Sequence, residues 1–269
     1  MTETLSLRAK IEQSPMGAYQ WMIVVMAAIM NLLDGFDVLA LAFTATAIRG
    51  EFGLTGIELG YLLSAGLFGM TAGSLFLAPL ADKIGRRPLL LMAVSLSAIG
   101  MLGSAFISQY QWLGFWRVIT GLGVGGILVG TNVITSEYSS RKWRSFAISV
   151  YAAGFGIGAV LGGMFAVMLQ GEYGWRSVFL AGAILTGLLL VVLFIWLPES
   201  IDFLTSKQPK NAEVRLNLIA KKIGLAGDWK LPAKTEKVKT KLPISQLFSE
   251  KYLHSTLLIW TAFFAIMFS

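Results

Sequence analysis

Apolar residues run along this chain in long blocks separated by short polar breaks. Six blocks exceed the length of a buried globular helix and cover residues 21–46, 57–80, 89–108, 112–136, 145–169 and 176–197. A hydrocarbon layer of about 30 Å needs about 20 residues of helix, so each block predicts a membrane span. Backbone polar groups in lipid must be satisfied within the segment, which favours helices. A seventh block begins near Leu257 and is still apolar at Ser269, too short to span. The pattern therefore predicts an all-α integral membrane protein, with residues 1–20 as an amino-terminal tail, 21–197 as a six-helix bundle, 198–254 as a linker and 255–269 as an incomplete seventh helix. It also leads us to expect either a piece of a longer protein or an abnormal ending.

The first block contains an anomaly, NLLDGFDVLALAF, where Asp34 and Asp37 are the only ionisable groups between Trp21 and Ile48. Each carboxylate placed at the centre of a lipid-facing helix costs about 2.5–3.5 kcal/mol, so these side chains are expected to face protein or water. Residues three apart on a helix differ by about 60° in azimuth and about 4.5 Å in height. Asn31, Asp34 and Asp37 should thus form a slanted polar ridge suited to a cavity, opposite Leu33, Phe36, Ala40 and Phe43. The fourth block carries Arg117, at a depth from which its long side chain can reach Asp37, directly or through water, but not the deeper Asp34. Intramembrane ionisable groups are functional candidates by default, and two carboxylates sharing one site titrate as a pair. Static ties to backbone or to Arg117 are the structural alternative.

Charge supplies an orientation. Nineteen basic residues fall in the amino-terminal tail, the 2–3 and 4–5 loops and the 198–254 segment, against Arg49 and Arg176 alone in the other loops. By the positive-inside rule the amino terminus and the long linker face the cytoplasm. The net charge of +7 is thus a topology signal rather than a nucleic-acid footprint, since the basic residues are divided among loops without interleaved aromatics. Within the linker, NAEVRLNLIAKKIGL predicts a surface helix near Leu216, Ile219 and Ile223. The following KLPAKTEKVKTKLPI is a basic, proline-interrupted stretch, and contact with anionic headgroups is its second reading.

Composition narrows the chemistry. With 55% hydrophobic and 14% charged residues, the chain departs from soluble averages, where about 25% are charged. There is no cysteine and a single histidine, His254, read as a polar residue at a membrane boundary. No cofactor, metal cluster or nucleophile triad is implied, and an enzyme is disfavoured.

The glycines are spaced. Gly154, Gly158 and Gly162 fall every fourth residue, as do Gly121 with Gly125, Gly126 with Gly130, and Gly69 with Gly73. Small residues at this interval let helix backbones approach, as static packing or as surfaces that slide. Between the second and third blocks, LADKIGRRP places Asp82, Lys83, Gly85, Arg86 and Arg87 in a short charged loop, suited to latching neighbouring helix ends.

These motifs carry a resemblance. APLADKIGRR, from Ala78 to Arg87, resembles the 2–3 loop motif of major facilitator superfamily transporters, departing at Ala78, where glycine is usual. RVITGLG, from Arg117 to Gly123, is similar to the span-four motif, and Gly154–Gly163 to the span-five glycine pattern. DGFD together with LPES, from Leu197 to Ser200, resembles the aromatic acid:proton symporter family, carriers of 4-hydroxybenzoate, protocatechuate, vanillate and benzoate. Membership implies the amino-terminal half of a twelve-helix carrier, in a bacterial inner membrane, that works with a carboxy-terminal six-helix half by alternating access. By that similarity Asp34 and Asp37 correspond to aspartates needed for uptake, Asp82, Arg86 and Arg87 to loop residues needed for switching, and Arg117 to an arginine linked with proton coupling. The implied partners are protons, an organic anion of the aromatic carboxylate class and the lipid bilayer. Carriage of another solute (sugar, dicarboxylate or drug) is the nearest alternative. An inactive half-transporter or membrane interaction protein is the alternative of a different class.

Overall fold

The computed structural model describes residues 7–225, 227, 229–231 and 249–268. All regular elements among them are α-helices: α1 (Leu7–Gln13), α2 (Ala18–Phe52), α3 (Gly56–Ile84), α4 (Arg86–Ala105), α5 (Tyr110–Tyr138), α6 (Arg144–Tyr173), α7 (Trp175–Trp196), α8 (Ile201–Lys207), α9 (Ala212–Ile223) and α10 (Glu250–Phe268). Helices α2 to α7 are long and apolar enough to cross a membrane. One compact unit extends to Leu231 and holds α1–α9; α10 belongs to a second unit. That helix begins at Glu250, five residues before the expected 255, and His254 lies exposed on it. The basic stretch 232–248 lies outside the described residues.

Local chemistry sets the helix ends. The Gly17 N–H donates to Gln20 Oε1 at 2.8 Å where α2 starts, and Gly53, at φ 63°, closes α2 in the left-handed conformation that glycine adopts without a Cβ clash. Thr55 and Glu58 form a reciprocal capping box on α3. The expected 2–3 loop is shorter than the pattern suggested: α3 runs to Ile84 and α4 starts at Arg86, so Gly85 is the whole connection and the charged residues are helical.

Within the first unit α3 packs on α5, α2 on α6, and α4 on both α5 and α7. Two apolar clusters fill the bundle. One gathers Met26, Met30, Leu90, Ile134, Tyr138 and Leu193; the other Phe36, Leu41, Ile48, Met101, Leu113 and Phe179. On α2 the first cluster runs through Met30 to the partly buried Leu33 and the second begins at Phe36, leaving Asn31 and Asp34 near the seam. The helix expected on the linker forms as α9, but Leu216 and Ile219 are buried in the first cluster, and Val214 and Leu218 are the exposed apolar positions. Helices α1 and α8, seven residues each, carry too little periodicity to be read from sequence; Leu7, Ile11, Ile201 and Leu204 tie them to the same cluster.

Candidate functional site

Arg117, on α5, points into the bundle between α2, α4 and α7. Its Nη1 donates to Asp37 Oδ1 at 2.9 Å, and both side chains are 4% exposed. Ser97 Oγ donates to Asp37 Oδ2 at 3.2 Å, so both carboxylate oxygens are engaged. Arg117 Nη2 donates to Thr120 Oγ1 at 2.9 Å and Ser104 Oγ at 3.2 Å. The guanidinium carbon sits 4.8 Å from the centre of the Phe179 ring, within cation–π range. Arg117 Nε has no hydrogen-bond partner among the described residues. Asp37, Arg117 and Thr120 line a cavity of about 40 Å³ whose apolar walls include Leu41, Leu63 and Met70. A charge pair with a donor to spare therefore borders a space large enough for water.

The rest of the expected ridge divides. Asn31 Nδ2 donates to the Tyr151 carbonyl of α6 at 2.8 Å, which leaves its Oδ1 without a partner. Asp34 is 2% exposed, and its Oδ2 has no partner among the described residues. Neither lines the Asp37 cavity. From residue 31 to 37 the helix turns the ridge by about 120°, so Asn31 meets α6 while Asp37 meets α4 and α5. The expectation that all three face one cavity is corrected accordingly.

At the end of the bundle where α1, α8 and α9 gather, the charged motif is built into helix caps. Glu199 Oε1 accepts from the N–H groups of Arg86 at 2.8 Å and Arg87 at 3.0 Å, which caps α4. Arg86 Nη2 meets Asp82 Oδ1 at 2.8 Å across Gly85, and Arg87 Nη2 donates to the Phe194 carbonyl at 2.6 Å. Lys83 is exposed. Glu137 accepts from Ser200 Oγ and from the Ile201 N–H at 2.9 Å, capping α8, while Tyr138 OH donates to the Glu199 carbonyl at 2.6 Å. Arg144 Nη2 donates to Glu12 Oε1 at 2.6 Å, and this bond holds the Glu12 carboxyl below its ordinary range. Arg8 pairs with Asp202. At the other end Arg176 grips Glu51 through both guanidinium nitrogens at 2.9 and 2.7 Å and also reaches the Ile107 carbonyl.

The spaced glycines bring backbones together. A Cβ on Gly154 or Gly158 would strike the carbonyl oxygens of Ala28 or Leu32 on α2, and on Gly162 the Phe36 ring. Gly69 and Gly73 stand in the same way against Val118 and Leu122, and Gly121 and Gly125 against Gly66 and Met70. Gly35, which belongs to no spaced pair, abuts the Phe155 carbonyl.

This architecture matches known proteins. The family model described as Major Facilitator Superfamily matches residues 27–269. The chain belongs to the major facilitator superfamily. It is 34% identical to a gallate transporter of Pseudomonas putida over 94% of its own length and 57% of the relative's, and 33% identical to a 4-hydroxybenzoate transporter of the same species over 97% and 59%. It thus spans less than two thirds of those relatives. Among solved structures, the partially occluded inward-open xylose transporter of E. coli superposes with a TM-score of 0.67 at 22% identity, covering 75% of this chain and 55% of that one, which speaks to the fold.

In this major facilitator chain the structure adds neighbours that sequence reasoning did not name, Ser97, Ser104 and Thr120 around the ion pair and Glu137 at the α8 cap, and gives Glu199 of the LPES motif a capping role. Thr120 follows Arg117 by three residues, the interval at which helix side chains meet, so spacing could have found it. Glu137 was visible as an unpaired acid at the end of an apolar block. Ser97 and Ser104 carry no such signal, since nothing local links them to Asp37 or Arg117.

Proposed function

We propose that this chain is the amino-terminal six-helix part of a secondary carrier that takes up small aromatic carboxylates with protons by alternating access, its basic end in the cytoplasm. The observation that carries the reading is the buried Asp37–Arg117 pair bordering a cavity inside the bundle. The relatives' gallate and 4-hydroxybenzoate specificities supply the substrate class. The partition of basic residues supports the orientation.

In this mechanism a proton arriving at Asp37 neutralises the carboxylate and frees Arg117, whose remaining donors then attract the carboxylate of an incoming substrate. Asp34, buried with an unpartnered oxygen, is the second proton site. Deprotonation toward the cytoplasm returns Arg117 to Asp37 and expels the anion. Asp82, Lys83, Gly85, Arg86 and Arg87 serve the switch, since the Asp82–Arg86 pair joins α3 to α4 across Gly85 and the bonds of Arg86 and Arg87 to Glu199 and Phe194 join α4 to the end of α7. The smooth glycine faces between α2 and α6 and between α3 and α5 keep this half rigid as it rocks.

The deciding experiment is uptake by the full-length protein of labelled benzoate, hydroxybenzoates, gallate, sugars and dicarboxylates, with and without a protonophore. Accumulation of aromatic acids alone, abolished by the protonophore, supports the proposal. Uptake of sugars or dicarboxylates instead, or protonophore-insensitive uptake, overturns it.

A further inference from the structure

A groove of about 210 Å³ opens beside the end of α7, away from the ion-pair cavity. One wall is the α7 terminus, with Ile195 and Trp196 exposed; the other is α9, which presents Arg215 and Lys222. Arg87 lies at the base, its Nη2 on the Phe194 carbonyl and its Nε without a partner among the described residues. Lys222 Nζ sits 5.3 Å over the Tyr19 ring, which fixes its direction. The wall also holds Glu199, whose Oε1 is occupied by the N–H groups of Arg86, Arg87 and Ser200. Three cations against one acid leave the groove positive.

We propose that this groove binds the phosphate of an anionic phospholipid, with acyl chains along the exposed face of α7. Position selects lipid over a soluble anion: the groove lies where an apolar span ends in an exposed aromatic residue, the level at which interfacial tryptophans and headgroups meet. Basic pockets at helix ends at this level suit anionic headgroups. Leu188, Val191 and Phe194, all exposed on α7, provide the apolar track below it. Arg215 and Lys222 belong to neither the ion-pair site nor the α3–α4 turn, so the proposal stands whatever the transported solute.

The test is native mass spectrometry of delipidated full-length protein titrated with phosphatidylglycerol, phosphatidylcholine or inorganic phosphate. Wild-type protein is expected to retain phosphatidylglycerol preferentially, with affinity falling about fivefold per charge removed in Arg215→Gln and Lys222→Gln. The charge-keeping Arg215→Lys/Lys222→Arg protein should bind as wild type, which separates charge from folding. Equal retention of phosphatidylglycerol by wild type and the Gln double variant overturns the site. So does charge-dependent binding of inorganic phosphate without preference for phosphatidylglycerol, which would make it a soluble-anion site.

Discussion

Arg117 and Asp37 meet inside the helix bundle at 2.9 Å, each nearly sealed from solvent. Removing one member of such a pair strands the other and costs about 3–5 kcal/mol, whereas replacing both by apolar groups costs much less. Two of the three neighbouring hydroxyls tolerate that replacement, since Ser104 and Thr120 donate to the Gly100 and Trp116 carbonyls of their own helices, while Ser97 loses its acceptor on Asp37. Asp37→Leu and Arg117→Met should each lower unfolding stability of the full-length protein in detergent by about 3 kcal/mol, and the double variant by clearly less than the sum. Additive losses would show that the two charges are not coupled.

Asp37→Asn keeps one acceptor, which can serve Arg117, and presents its NH2 to Ser97 Oγ, which can accept from it, but it cannot take up a proton. The variant should reach the membrane and, because Arg117 keeps a hydrogen bond while losing its counter-charge, should lose less stability than the loss of about 3 kcal/mol expected of Asp37→Leu, yet it should lose proton-driven accumulation of a labelled aromatic acid. Uptake with unchanged pH dependence would remove Asp37 from the coupling step.

The glycine contacts predict a contrast within one helix. At Gly158 of α6 a Cβ would collide with the Leu32 carbonyl, whereas at Gly171 nothing lies within 4 Å. Gly158→Ala should destabilise by about 1–3 kcal/mol, because backbone cannot move aside as a side chain can. Gly171→Ala should be neutral or stabilising by up to about 1 kcal/mol, since alanine favours helix. Thermal unfolding of the two variants side by side decides it.

Gly85 makes the α3–α4 connection at φ 105° and ψ 161°, a region essentially confined to glycine, and a Cβ there would sit 2.9 Å from Glu199 Cδ. Gly85→Ala should cost about 1–3 kcal/mol from the backbone alone, plus a steric part. In a Glu199→Ala background the steric part disappears and the backbone part remains, so the penalty should shrink without vanishing. A penalty unchanged by the background would mean that Glu199 does not set the fit of this turn.

These cases divide what could be read from the sequence. The six long helices and the reach of Arg117 to Asp37 followed from residue spacing along single helices, because period and rise are local properties. What escaped depends on contacts between distant segments. Glu199 lies more than a hundred residues from Arg86, so the sequence showed a charged loop where folding makes a capped one-residue turn. Asn31 was placed on the right helix, but only the packing of α6 could show that its amide is spent on Tyr151. The short helices α1 and α8 exist because partners hold them, and no local pattern announces that.

Glu12 offers a pH test of such a hold. Its carboxylate accepts from Arg144 while its backbone carbonyl accepts from the Arg141 N–H at 2.9 Å, so α1 is tied to the α5–α6 turn through one residue. The bond from Arg144 lowers the Glu12 pKa below the ordinary 4.5. A carboxyl whose pKa is lower in the folded state contributes stability that is complete above the unfolded value and lost as pH falls through the folded one. Amide exchange in α1, corrected for the intrinsic pH dependence, should therefore stay slow from neutrality down through 4.5 and accelerate only below it. Glu12→Gln keeps the acceptor and removes the charge, so its α1 should exchange faster at neutral pH and show no further acid transition. An acid transition that persists in Glu12→Gln would assign the loosening to another carboxyl, with Asp202, the partner of Arg8, the next to substitute.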